Sequence, residues 1–228
     1  MKIGLQVAMV PELHAIPGAK DLAPFETVSG VPFFEVEEGI IACAGGMGKV
    51  NAAMSAEILC RRFGVDLVIN SGLAGCFTDL PTGTLLVADD FVQHDVDSSP
   101  LGDPVGMVST VNCTYFPTWR PDHVAAVLKG LGVDVSRGRV ATGDQFIQNG
   151  ARAEWIRDTF HPVLAEMEGG AIAQVCMRNG VPFVALKSVS DHLFREGQME
   201  EYFDYGKALE SIGRALLPLA QALKGETL

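Results

Sequence analysis

The stretch GKVNAAMSAEILCRRFGVDLVINSGLAG, residues 48–75, decides the fold. Its first part reads as a helix. Val50, Ala53, Met54, Ile58 and Leu59 fall near one face, Arg61 and Arg62 sit in the last turn, and Gly64 stops it. VDLVIN, residues 65–70, then reads as a strand that runs straight into SGLAG. A strand apolar at nearly every position is covered on both faces, as the strands of parallel sheets are.

Working outward, the same alternation recurs. KIGLQVAM (2–9) reads as a buried strand, and PFFEVEEGIIACAG (32–45) as two short ones. GTLLVADDFVQHDV (83–96) is one long strand or a bent pair. Residues 97–120 carry three prolines and no period, which predicts a long functional or subunit-contact loop. A helix (121–131), a strand (139–142), a helix from about Ala151, a strand end in PVLAEME, a helix (170–178) and the strand VPFVALKSVSD (181–191) follow. The tail is an amphipathic helix with Leu209, Ile212, Leu216, Leu219 and Leu223 in register, expected to kink at Pro218. The fold expected is α/β: a single domain over residues 1–228, with a mixed, mostly parallel central sheet flanked by helices.

Composition narrows the partners. The chain has 228 residues, and a formal net charge of −11 excludes the basic face that a general nucleic-acid binder needs. It gives little attraction to anionic membranes, and no apolar run is long enough to span one. The opening residues lack the cleavage pattern of a signal peptide, so a cytoplasmic location is expected. Five scattered cysteines without a C-x-x-C predict buried free thiols, not a disulfide framework or a zinc site. QHDVD (93–97) offers one histidine and two aspartates, too few well-spaced ligands for a metal, and none is expected. GGMGKV lacks the spacing of a phosphate loop.

In open α/β sheets ligands bind off the carboxyl ends of the strands. That rule gathers Met9 and Glu12, the segment 72–75, Asp144 to Ile147, Met167 and Glu168, and Ser190 and Asp191 at one edge. Three carboxylates among methionines and an aromatic ring suit cleavage of a glycosidic bond next to a flat heteroaromatic base. One acid would protonate the leaving group and another would activate water. Each acid taken alone is equally well an ordinary helix cap.

AMVPE, GGMGKVNAA, NSGLAG, HDVD, TGDQFI, EMEGGAIAQVC and SVSD stand in the order and approximate spacing of the 5′-methylthioadenosine/S-adenosylhomocysteine nucleosidases, of the nucleoside phosphorylase superfamily. The chain resembles that family over almost its whole length. The resemblance implies a nucleoside phosphorylase-like fold and hydrolysis of the N-glycosidic bond of a 5′-substituted adenosine, without metal or organic cofactor. It implies that Glu12 polarises the attacking water, that Asp191, supported by Ser190, protonates N7 of adenine, and that Glu168 binds the ribose hydroxyls and steadies the cationic sugar. Phe146 would stack on the base, and the Ile147 backbone would read its amino edge. Met9, Met47 and Met167 would line the ribose and the 5′ group, covered by Tyr202 or Phe203. Glu166 is assigned a structural role.

Three features depart from the family pattern. Leu73 replaces a serine near the catalytic water, Lys187 replaces an arginine, and EMEGG replaces EMEAT or EMEAA, which predicts a more flexible helix start. Leu73 and Lys187 are both placed on the nucleophile side of the substrate site. A phosphorolytic enzyme and a nucleoside-binding protein with a decayed water site remain as alternatives. The resemblance further implies a homodimer in which loop 101–109 closes the partner's site, with Leu101 where the family tends to place an aromatic residue.

Overall fold

The computed structural model describes residues 1–226 and sets the VDLVIN strand at the centre of a single sheet. In chain order the elements are β1 (Ile3–Val7), α1 (Val10–Ala15), β2 (Glu26–Val28), β3 (Val31–Glu37), β4 (Ile40–Ala44), α2 (Lys49–Glu57) and β5 (Leu67–Cys76). Next come β6 (Leu85–Gln93), β7 (Tyr115–Pro117), α3 (Pro121–Gly130), β8 (Val135–Thr142), α4 (Ala151–Phe160) and β9 (Leu164–Glu166). The chain ends with α5 (Gly169–Asn179), β10 (Phe183–His192), α6 (Gln198–Phe203) and α7 (Gly206–Lys224).

The sheet is not mostly parallel. β10, β6, β8, β9 and β5 pair in turn, and the circuit closes through β10 and β5, so five strands form a barrel. β1, β4, β3 and β2 extend from it as an open wing. Antiparallel pairs are as frequent as parallel ones among the described residues. Closure is the physical reason. It needs the antiparallel pairs β10–β6 and β5–β9, while the β2–β3–β4 hairpins fill the wing.

One edge of β5 serves two neighbours. Leu67 to Asn70 pair with β1, whereas Gly75 and Cys76 pair with β9; β10 takes the other edge throughout. Between β1 and β9 the sheet therefore splits beside Ser71 to Ala74, and backbone there is free to bind side chains. β10 carries a bulge at Ser190, opposite Ala74 and Gly75, which re-aims Ser190 and Asp191.

Helices cover the sheet in three groups. α1, α3 and α7 bury Leu13, Val124, Leu128, Ile212, Leu216, Leu219 and Leu223 with β1 and β5 residues. α2 and α5 bury Ala52, Ala56, Leu59, Ile172 and Cys176 around Phe91 and Phe183. α4 packs Ile156 and Phe160 on Val92 and Ala141. α7 runs unbroken through Pro218.

The α2 face differs from the expected one. Val50 is 79% exposed, and Ala52, Ser55, Ala56, Leu59 and Cys60 face inward instead. Small residues let α2 approach α5 closely, and a π-helical turn over Ile58–Arg62 rotates the end of the helix. The five cysteines are free thiols, four buried and Cys113 half-buried.

The glycines of EMEGG answer a packing demand. A Cβ on Gly169 would lie 2.2 Å from the Phe91 ring, and one on Gly170 would lie 3.0 Å from Thr142 and Gln93. Both residues are buried within α5, so the pair lets the helix lie against β6 and does not loosen its start.

Candidate active site

One cavity opens at the split in the sheet. Ala8, Met9, Glu12, Met47, Leu73 to Gly75, Gln145 to Ile147, Ala165 to Glu168, Ser190, Asp191, Leu193 and Tyr202 line it. Seven separate stretches of chain deliver these residues, and Glu12, Glu168 and Asp191 all reach the same space. Of the remaining residues singled out in the sequence, Met47 stands half exposed at the rim, and Phe146 is 43% exposed with its ring edge-on to Tyr202 at 4.8 Å. Tyr202 is the ring that lines the cavity; Phe203 is 73% exposed and does not.

Glu12 sits in the first turn of α1 and is buried. Its Oε2 accepts from the backbone N–H groups of Ala8 (2.9 Å) and Met9 (2.8 Å), which caps the helix. Its Oε1 accepts from the Leu73 N–H at 2.9 Å, in the unpaired stretch of β5. The capping and catalytic readings are compatible. Oε2 has both acceptor positions occupied, while Oε1 keeps one for a water molecule. Burial pushes the carboxyl above the usual range, against the lowering effect of these N–H groups and the Lys187 ammonium. At residue 73 the side chain lines the cavity; the backbone N–H does the binding, which any residue but proline supplies there.

Glu168 is the residue that opens α5, and its Oε1 accepts from the Gly48 N–H at 2.7 Å. GGMGKV thus serves as an anchor for this acid. Burial first, then the neighbouring Glu166 carboxylate, push Glu168 up to about 7. Lys49 locks the same corner: its N–H donates to Asp144 at 2.7 Å and its Nζ reaches Asp95 at 2.7 Å. The Asp144 N–H donates to Asp95 Oδ2 at 2.9 Å, which with Lys49 ties the loop between β8 and α4 to the start of α2. In QHDVD, Asp95 is therefore spent on Lys49 and Asp144, and His94 Nδ1 on Arg152 at 3.0 Å; burial holds the His94 ring down at about 4, so it is neutral.

Asp191 lies past the β10 bulge. Ser190 Oγ donates to its Oδ1 at 2.5 Å, and Gln198 Nε2 donates to its Oδ2 at 2.9 Å. Burial raises its carboxyl, opposed by both donors. Gln198 was not visible in the sequence reading, since GQMEEYF offers only a short polar helix start.

Lys187 does not reach the cavity. Its ammonium, 2% exposed, is paired to Glu166 Oε2 at 2.8 Å. A buried ammonium needs a counter-charge, and Glu166 is the carboxylate beside it. Glu166 also accepts from the N–H groups of Glu168 (3.1 Å) and Gly169 (2.8 Å) and from the Thr142 hydroxyl, so it fixes the start of α5.

The chain that builds this barrel and its edge cavity belongs to the phosphorylase superfamily, whose family model matches residues 2–220. Within that superfamily the chain belongs to the 5′-methylthioadenosine/S-adenosylhomocysteine nucleosidase family. A nucleosidase of that name from Marinomonas sp. (strain MWYL1) is 36% identical over 98% of both chains. The structure of futalosine hydrolase from Helicobacter pylori superposes with a TM-score of 0.89, at 28% identity over 98% of each chain. The 5′-methylthioadenosine/S-adenosylhomocysteine nucleosidase of Colwellia psychrerythraea, solved with adenine, gives 0.88 at 30% identity, over 100% of this chain and 98% of that one.

Proposed function

We propose that this chain hydrolyses the N-glycosidic bond of 5′-substituted adenosines, with 5′-methylthioadenosine, S-adenosylhomocysteine, 5′-deoxyadenosine and aminodeoxyfutalosine as the candidate substrates. The observation that carries this reading is the meeting of Glu12, Glu168 and Asp191 on one apolar cavity. The names of the relatives above point the same way.

In this reading the adenine packs against Phe146, with its edge toward the Ile147 backbone and N7 toward Asp191. Asp191 gives N7 a proton as the C1′–N9 bond stretches, and its burial favours the protonated form this step needs. The sugar becomes cationic, and Glu168 interacts more strongly with that cation than with the neutral ground state. Water held on the free position of Glu12 Oε1 attacks C1′ and gives Glu12 its proton. The products are adenine and the free 5-substituted ribose. Met9, Met47 and Met167 line the sugar side with Tyr202, and apolar sulfur and ring surfaces suit a thioether.

Phosphorolysis fits less well. It needs cationic side chains beside the sugar, and no Lys or Arg lines the cavity among the described residues. A pure binder would gain nothing from three buried acids. Leu101 is 86% exposed and lines no part of its own chain's cavity, which suits the proposed homodimer with loop 101–109 at the partner's site. Among the described residues no helix is long and apolar enough to cross a membrane, in keeping with the proposed cytoplasmic location.

The test is incubation with 5′-methylthioadenosine in phosphate-free buffer. Adenine and free methylthioribose are the expected products at a rate that added phosphate leaves unchanged. Strict dependence on phosphate, or no adenine from any of the four candidates, rejects the proposal. Light scattering showing a monomer at micromolar concentration rejects the dimer.

A further inference from the structure

We infer that Gln198 is a positioning residue of the hydrolytic site, whose single amide group fixes the separation between the Asp191 carboxylate and the Ile147 carbonyl. The inference rests on the hydrolytic reading above and adds a residue to it. Gln198 opens α6 and is buried. Its Nε2 donates to Asp191 Oδ2 and to Ile147 O, each at 2.9 Å, and its Oε1 accepts from the Asn149 N–H at 3.4 Å. The amide orientation is forced, because a carbonyl and a carboxylate both accept and only the NH2 end can serve them together.

This places one side chain between the two groups assigned to the leaving base. Asp191 comes from β10, and Ile147 from the loop between β8 and α4. A purine must meet both at once, N7 at the acid and its 6-position at the backbone, so their spacing has to match the width of the base. Misplacement by an ångström can lower a rate about 100-fold. Gln198 spans that gap with a planar group of fixed length. The same helix is held from its other end, where Glu201 accepts from the His192 N–H at 3.0 Å, and it carries Tyr202 into the cavity.

Gln198 also takes part in the electrostatics of Asp191. The groups facing that carboxylate are Ser190 and His192 from β10 and Gln198, Glu201 and Tyr202 from α6. β5 brings Gly75 against it, and Glu12 and Glu168 share the cavity. An amide N–H stabilises the carboxylate over the acid. Removing it therefore favours the protonated form and extends activity to higher pH.

The experiment uses the full chain with Gln198→Met, Gln198→Glu and, as control, the exposed neighbour Glu200→Gln. Each is assayed on 5′-methylthioadenosine across pH, with thermal melting alongside. For Gln198→Met, KM is expected to rise about 10-fold and the alkaline limb of kcat/KM to move up by about one pH unit. Gln198→Glu keeps the shape and adds a like charge, so its limb moves at least as far, and the control matches wild type. If Gln198→Met does not fold, Gln198→Glu alone decides the matter. Folded variants with wild-type KM and pH profile overturn the inference while leaving the hydrolytic reading intact. A wild-type protein that releases no adenine removes that reading first, and this inference with it.

Discussion

Lys187 Nζ lies 2.8 Å from Glu166 Oε2, and the two side chains are 2% and 1% exposed. The pair sits beneath the cavity, and its positive member favours the ionised forms of both Glu12 and Glu168. Breaking such a pair leaves an uncompensated buried charge, which costs about 3–5 kcal/mol. Lys187→Met is therefore expected to lower Tm by about 10 °C. Removing both charges as Lys187→Met with Glu166→Gln restores most of that loss. Calorimetry of the two variants checks this, and a double variant no more stable than the single one contradicts it.

Gly72 and Glu12 make a second close relation. A Cβ on residue 72 would lie 2.9 Å from Glu12 Oε1, and the backbone there has φ of +155°, which side chains other than glycine rarely adopt. Gly72→Ala should lose about 1–3 kcal/mol of stability. It should also push away the oxygen left free for water, so kcat falls at least about 10-fold in a protein that still folds. A variant with normal kcat would show that Glu12 Oε1 does not hold the nucleophile.

Much of this arrangement was legible in the chain. Alternating apolar strands and helices gave the strand ends, and with them the meeting of Glu12, Glu168 and Asp191. The barrel was not legible, because β9 is three residues long and its antiparallel pairing with β5 leaves no periodic trace. Lys187 was misplaced for a related reason. Its neighbours in sequence say that it is buried, but not that Glu166 waits beside it on another strand. The GG pair after Glu168 looked like added freedom, since the Phe91 ring filling that space comes from β6, far away in the chain. Gln198 was missed because a lone glutamine carries no period and no motif.

Glu168 predicts an exchange of stability for catalysis. Its carboxyl, ordinarily at 4.5, stands at about 7 in the folded protein, so the folded state holds the proton more tightly than the unfolded chain. The group's contribution is therefore present below pH 4.5 and is lost as pH rises through 7. The ceiling on this loss is about 3 kcal/mol. Glu168→Gln, which keeps an acceptor for the Gly48 N–H, should raise Tm by a few degrees at pH 8 and flatten the fall in stability between pH 5 and 8. Turnover should fall at least about 100-fold. Melting curves across pH check the first part, and an unchanged slope would mean that Glu168 stays charged in the empty site.

Asp191 and Glu12 can be told apart by the leaving group. Asp191→Asn keeps the shape and the partners at Ser190 and Gln198 but removes the proton donor, so hydrolysis of 5′-methylthioadenosine should fall by about 10²–10⁴-fold. Glu12→Gln removes the base and should cause a loss of the same order. A 5-methylthioribosyl nitrophenyl ether leaves as a stabilised phenolate and needs no proton. On that substrate Asp191→Asn should recover most of the wild-type rate, whereas Glu12→Gln should stay slow because water must still be activated. Steady-state rates for the two variants on the two substrates give four numbers whose pattern decides the roles. Equal losses for Asp191→Asn on both substrates would take proton donation away from it.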